Sequence, residues 1–208
     1  GGFIATVPHK SAMLELCDRI DGDGARIGAV NCVRRDPDGR MIGAMLDGIG
    51  FVEGVRRAGI APEGQRVLLA GARGAASAIA FALAEAGVAS LTIVNRTVAR
   101  AEALAERVRE TYGAVRVEAR AQSGDVAAYD LIVNATSLGL RPGDPLPIDA
   151  GGLHAAQTVA EAIMDPAETP LLAAAAKAGA RVHPGLPMLE CQIELMARHM
   201  GAFGGGEA

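Results

Sequence analysis

The rhythm of apolar and polar positions changes about a third of the way along the chain. From Gln65 onward, short strand-like runs alternate with stretches of helical spacing. Strands are predicted over Arg66–Ala70, Ser90–Val94, Ala114–Ala119, Leu131–Asn134, Thr158–Ile163 and Arg181–His183. Helices are predicted over Ala75–Ala86, Val98–Tyr112 and Pro170–Ala178. This alternation predicts a parallel sheet covered by helices.

Before Gln65 the pattern is less regular. Phe3 to Val7 is an apolar run that Pro8 ends, and Ser11 to Ile20 has the spacing of a helix. Ile27–Arg34 and Arg40–Ala44 flank the cluster Arg35-Asp36-Pro37-Asp38-Gly39, which predicts a hairpin. Asp47 is placed to cap a helix through about Ala58, and Gly59–Gly64 forms a linker. A last helix runs from Met188 to about Met200, with Gly204-Gly205-Gly206 as a frayed tail. The expected fold is α/β, with a Rossmann-like dinucleotide-binding domain over 59–187 and a partial α/β domain for a second ligand over 1–58. Residues 188–208 form a helix and tail returning to the first domain.

Composition narrows the partners. The 208 residues are 50% hydrophobic, enough for a substantial core, and a net charge of −4 without a long basic run argues against nucleic acid. No apolar run approaches the roughly 18 residues of a membrane span, and the N-terminus lacks a signal-peptide layout, so a soluble cytoplasmic protein is expected. Cys17, Cys32 and Cys191 are scattered, with neither Cys-x-x-Cys nor metal-ligand spacing, which makes them small core side chains rather than bridges or ligands. A small-molecule ligand and a monomer or homodimer fit these limits.

A chemical signal lies in Gly71-Ala72-Arg73-Gly74-Ala75-Ala76, which follows an apolar strand and opens an apolar helix. Glycines at such a turn let backbone N–H groups and the helix N-terminus approach a pyrophosphate. Arg73, a long side chain inside this turn, either obstructs the pyrophosphate or folds outward and pairs with it. About 20 residues on, where an NAD enzyme would carry an acidic group for the ribose, the chain has Asn95-Arg96-Thr97 and Arg100. Guanidinium forks suit a 2′-phosphate, so NADP is expected over NAD. The alternative is a solvated helix face on which Arg100 pairs with Glu102 or Glu106.

Several segments in order resemble the shikimate dehydrogenase family. They are Thr6-Val7-Pro8-His9-Lys10, Gly28-Ala29-Val30-Asn31, Asp47-Gly48-Ile49-Gly50-Phe51, the glycine-rich turn, Val94-Asn95-Arg96-Thr97, Asn134-Ala135-Thr136-Ser137-Leu138-Gly139, Thr169-Pro170-Leu171-Leu172 and Gly185-Leu186-Pro187-Met188-Leu189 with Gln192. The resemblance implies a dehydrogenase interconverting 3-dehydroshikimate and shikimate, or a related cyclic hydroxy acid, with NADP. Lys10 and Asp47 would flank the reacting oxygen, and Thr6, Asn31 and Gln192 would join Asp47 around the substrate. Gly71, Arg73, Gly74, Ala75, Asn95, Arg96, Thr97, Arg100, Thr136 and Gly185 would line the cofactor. The chemistry is coherent, because reducing a carbonyl builds negative charge on oxygen and a nearby cation stabilises it and supplies the proton.

The resemblance also exposes departures. Met45-Leu46 precede Asp47 where the family has polar residues, Ile4 stands at a position where asparagine is common, and Met164 where tyrosine is common. They imply a less hydroxylated substrate, with quinate or another shikimate analogue as the alternative. The chain begins Gly1-Gly2-Phe3 without Met, which reads as a fragment lacking a Ser-x-Ser element that grips the substrate carboxylate; such a chain is expected to bind NADP but turn over shikimate feebly. From another class, a non-catalytic NADP-binding remnant fits the altered positions. Glutamyl-tRNA reductase-like and methylene-tetrahydrofolate dehydrogenase-like folds fit the glycine-rich turn but not the early Lys, Asn and Asp.

Overall fold

In the computed structural model, which describes residues 1–6 and 8–202, two sheets flank a group of helices. The end of the first predicted strand at Val7 and the tail at Gly204–Gly206 lie outside the described residues. The first sheet holds β1 (Gly2–Ile4), β2 (Arg19–Asp21), β3 (Cys32–Arg35) and β4 (Met41–Ala44) in the order β1-β3-β4-β2. β3 and β4 are the predicted hairpin, with Cys32 opposite Ala44 and Arg35 opposite Met41. The pattern misplaces the elements around it. The helix expected over Ser11–Ile20 is the single turn α1 (Met13–Leu16), after which the chain extends into β2, parallel to β4. The run from Ile27 is not yet strand: α2 (Gly24–Ile27) ends on left-handed Gly28 at φ +80°, and pairing starts only at Cys32.

α3 (Asp47–Arg57) leads away from this sheet. Its acidic first residue and its last-turn Arg56 and Arg57 both complement the helix dipole. Beyond it come β5 (Arg66–Ala70), α4 (Ala75–Glu85), β6 (Ser90–Val94), α5 (Val98–Thr111), β7 (Arg116–Arg120), β8 (Leu131–Asn134), β9 (Thr158–Glu161), α6 (Pro170–Lys177), β10 (Arg181–His183) and α7 (Leu186–His199). The six strands are all parallel in the order β10-β9-β8-β5-β6-β7. The chain builds outward from β5 through β6 to β7, then crosses to β8 on the other side of β5. That reversal leaves a crevice beyond the carboxyl ends of β5 and β8, where ligands bind in open α/β sheets. α6 shows how local sequence sets an element: Thr169 caps it by accepting from the Leu172 N–H at 3.3 Å, and Pro170 fixes the first turn.

α3 joins the halves. One hydrophobic cluster runs from Ile27, Met45 and Phe51 through Phe81 and Leu83 to Leu91, so α2, the exit from β4 and α3 share a core with α4 and the second sheet. α7 packs along α3 and reaches back to β3, where Cys32 donates to the Met196 carbonyl at 3.9 Å. Glycines let these helices approach closely. A Cβ on Gly48 would stand 2.0 Å from the Ala78 carbonyl oxygen of α4, and one on Gly50 would stand 2.6 Å from Gln192 Cγ of α7. A second link lies at α5, where Arg107 donates to the carbonyls of Arg26 (3.1 Å) and Ile27 (2.9 Å) at the end of α2. Beside it the Tyr112 hydroxyl donates to Asp23 at 2.5 Å.

No helix among the described residues is long and apolar enough to cross a membrane. The close α3–α4 crossing sets a stability prediction. Gly48→Ala forces backbone apart and should destabilise the protein by about 1–3 kcal/mol or more. Gly113→Ala, where an added Cβ would meet nothing closer than 3.8 Å, should change stability by less than about 0.5 kcal/mol. Urea unfolding of both variants checks the contrast.

Candidate active site

The polar centre of the first half is a buried carboxylate. Asp47 opens α3 with only 3% of its surface exposed, and Leu46, not Asp47, occupies the cap position. The expected capping role is therefore not the one the side chain performs. One carboxylate oxygen accepts from Lys10 Nζ at 2.6 Å and the other from Asn31 Nδ2 at 2.6 Å. Asn31 is itself buried between strands, and its side-chain oxygen accepts the Leu46 N–H at 2.9 Å. The amide thus satisfies a free donor at the helix start and fixes the carboxylate in one orientation. Lys10 is partly open, its side chain 19% exposed against 4% for that of Asp47, and its backbone carbonyl accepts from Val30. A cation held by a buried acid and still reachable from solvent can donate to an oxygen that gains charge.

Other sequence-derived positions divide between those the structure brings to this region and those it does not. Gln192 is buried in α7 against Gly50, one turn along α3 from Asp47. Thr6 is exposed, and its carbonyl accepts the His9 N–H in the turn that carries Lys10. Ile4 is exposed on β1. Met45 and Leu46 are packing residues: Met45 belongs to the main core, and Leu46 packs with Cys32, Ala44 and Met196. Facing the core, they give no basis for the expected loss of hydroxyl recognition. Met164 is exposed just beyond β9.

Asp47 reaches the second region through its neighbour, since Gly48 touches Ala78 in the first turns of α4. That helix begins at the glycine-rich turn. Gly71 has φ +117°, and a Cβ there would stand 2.8 Å from the Ala135 carbonyl oxygen. Gly74 has φ +48°, with open space where a side chain would project. Among the described residues no side chain caps α4; the Ala76 N–H donates to the Arg73 carbonyl at 2.9 Å inside the turn, and the helix opens at the end of β5 beside the crevice. Ala75 begins the helix, and Arg73 is exposed and clear of the turn interior. On the neighbouring strand end, Asn95 donates to the Thr97 carbonyl at 2.8 Å and shapes the loop that carries Arg96 and leads into the first turn of α5, where Arg100 lies. Both arginines are exposed, and neither forms an ion pair among the described residues; Glu106 pairs with Arg109 rather than Arg100. A helix start without a side-chain cap beside exposed guanidiniums fits a dinucleotide carrying an extra phosphate.

A third cluster closes the crevice, joining Asn134, Thr136 and Thr169 of the resembling segments to Glu161, which lies in none of them. Asn134 and Glu161 lie opposite each other at the ends of β8 and β9, both fully buried. Asn134 donates to Glu161 Oε1 and to the Leu138 carbonyl, each at 3.0 Å, and accepts from the N–H (3.0 Å) and hydroxyl (2.7 Å) of Thr136. Thr136 therefore spends its hydroxyl inside the turn. Gly185 packs behind the same strand end, where a Cβ would stand 2.2 Å from the Ile163 carbonyl oxygen. A carboxylate among apolar neighbours at the end of Thr158-Val159-Ala160-Glu161 was the available signal, but register is needed to pair it with Asn134. Burial pushes the Glu161 acid above the usual carboxylate range, against the pull of its donors Thr169 and Asn134. Burial also lowers the His183 imidazole, helped by the Arg181 charge.

Both halves of the chain match known proteins. The family models described as "Shikimate / quinate 5-dehydrogenase" and "Shikimate dehydrogenase substrate binding domain" match residues 56–139 and 1–33. A shikimate dehydrogenase (NADP(+)) of Rubrobacter xylanophilus is 44% identical over 191 residues, which cover 90% of this chain and 67% of that protein. Shikimate 5-dehydrogenase of Thermus thermophilus, solved with NADP(H) and shikimate, superposes with a TM-score of 0.85 at 35% identity over 97% of this chain and 73% of that one. Ligand-free 5-ketofructose reductase of a Gluconobacter species gives 0.87 at 37% identity over 96% and 72%. The chain thus spans about two thirds to three quarters of the length of these relatives.

The displaced Glu161 acid gives a pH signature. Its pKa is raised on folding, so its contribution to stability is complete below the unfolded value, about 4.3, and is lost as pH rises through the folded value. His183 runs the other way: its pKa is lowered, so its contribution is present above the unfolded value, about 6.5, and fades as pH falls. Subtracting the stability of Glu161→Gln from that of the native protein cancels the histidine. The difference should become less favourable to the native protein over the range of pH that rises from the unfolded value, about 4.3. Urea titrations across that range check it, and a flat difference would contradict the raised acid.

Proposed function

The chain belongs to the shikimate dehydrogenase family, and on that premise we propose that it is an NADP-dependent oxidoreductase interconverting 3-dehydroshikimate and shikimate in the cytoplasm. The observation that carries this reading is the Lys10–Asp47 pair, 2.6 Å long and anchored by Asn31, beside a helix that opens on a glycine-rich turn. When bound, NADP supplies or accepts the hydride. Everything else falls to the chain's own side chains.

In the reducing direction, Lys10 Nζ donates a hydrogen bond to the substrate carbonyl oxygen and passes its proton to that oxygen as negative charge develops. Asp47 holds the ammonium in place. Because Asn31 anchors the second carboxylate oxygen, rotating Asp47 would break two charge-assisted hydrogen bonds at once. Oxidation of the hydroxyl uses the same contacts in reverse. Thr6 and Gln192 are assigned to substrate hydroxyl and carboxylate groups on the resemblance of their segments, with Gln192 additionally supported by its place against α3. The backbone of Gly71, Gly74 and Ala75 is assigned to the pyrophosphate, and Arg96, Thr97 and Arg100 to the 2′-phosphate. Arg73, Asn95, Thr136 and Gly185 complete the walls. Shikimate is preferred over a less hydroxylated analogue because Met45 and Leu46 pack into the core.

Two measurements test the assignment. In a protein of the relatives' full length, Lys10→Ala or Asp47→Asn should lower kcat for shikimate oxidation by about 10²–10⁴-fold, the scale of a positioned acid–base group. NADP affinity should change by less than about twofold in the same variants. Turnover near the native level in either would show the pair to be scaffold. Calorimetric titration should find NADP bound more tightly than NAD, and Arg96→Ala should remove about tenfold or more of that preference, since hydrogen bonds to charged groups contribute roughly 1.5–3 kcal/mol. Equal affinity for both dinucleotides would refute the 2′-phosphate assignment.

A further inference from the structure

Glu161 has no part in the chemistry above, yet it is fully buried, and two different elements depend on it. Its Oε1 accepts from Asn134 Nδ2 at 3.0 Å and from the Thr169 hydroxyl at 2.7 Å. Through Asn134 it reaches the turn after β8, where Thr136 donates twice to Asn134 Oδ1 and the Leu138 N–H donates to the Thr136 hydroxyl at 3.0 Å. Through Thr169 it reaches the head of α6. The backbone just beyond it, at Ala162 and Ile163, is what Gly185 packs on at the start of α7. The turn in question is also a wall of the crevice, because the Ala135 carbonyl lies against Gly71.

The other oxygen, Oε2, is buried and has no hydrogen-bond partner among the described residues. A buried polar atom left unpaired is costly, so the group persists only if its bonded oxygen repays that cost elsewhere. An apolar side chain at 161 would strand a donor on Asn134 and another on Thr169. Resting on the NADP reading above, we propose that Glu161 is a positioning residue for the cofactor crevice. Its Oε1 locks the turn at 134–138 and the head of α6 into one rigid unit, which holds the wall against the glycine-rich turn before the dinucleotide arrives.

The role requires an acceptor at Oε1 rather than a charge, which separates it from a merely structural acid. In the native 208-residue protein without cofactor, the Thr136 and Leu138 amides should exchange with deuterium at least about 100-fold more slowly than free loop amides. Free-loop rates at both would overturn the proposal without any variant. Glu161→Gln keeps the acceptor and should leave those rates, and the NADP dissociation constant by calorimetry, within about threefold of native. Glu161→Met removes the acceptor at similar size, so both amides should exchange at least about tenfold faster and NADP should bind about tenfold more weakly, with amides in β5 and β6 unchanged. A Met variant with native affinity, or a Gln variant as impaired as Met, would overturn the proposal. Failure of the native chain to bind NADP would strike the cofactor reading alone, since the exchange rates are read without it.

Discussion

A carboxylate buried at the head of a helix must be given donors, and the way Asp47 obtains them organises the first half of the molecule. Lys10 comes from the turn after β1, Asn31 from the entry to β3, and Asp47 itself from α3, so three segments distant in sequence are fixed by two short hydrogen bonds. Leaving such a group unpaired would cost several kcal/mol, more than most single contacts contribute. The constraint therefore orients the lysine as a by-product of satisfying the acid. Stability and chemistry use the same bonds.

α3 carries that constraint into the second half. Its glycines bring backbone against α4 on one side and against α7 on the other, so the position of Asp47 is tied to the turn that begins α4 and to Gln192. A helix with ordinary side chains at Gly48 and Gly50 could not lie in this slot. The links through Arg107 and Tyr112 brace the halves at α2 and α5, where burial lowers the Arg107 pKa and raises that of the Tyr112 phenol.

Much of this was legible in the residues. The alternation after Gln65 located the six strands and their helices to within a few residues, most plainly at β5 and β8, whose burial on both faces leaves nearly continuous apolar runs. The glycine-rich turn was readable for the same kind of reason: only glycine tolerates φ +117° against a neighbouring carbonyl. The failures share a cause as well. β2 is three residues, Arg19-Ile20-Asp21, too short and polar to show alternation, and its partner β4 is distant in sequence. Met45 and Leu46 looked like altered substrate contacts because a linear motif does not say which way a side chain turns at the end of a strand. Glu161 was missed because its meaning lies in register opposite Asn134, which only tertiary structure supplies.

The account stands on Lys10 acting as a proton donor rather than as a brace for Asp47. Chemical rescue separates these most directly. In full-length Lys10→Ala protein with NADPH and 3-dehydroshikimate, adding small primary alkylamines should restore turnover in proportion to amine concentration, because a free ammonium can occupy the vacated space beside Asp47. A variant that binds NADPH normally yet stays inert at every amine concentration, across amines of different size and basicity, would contradict it.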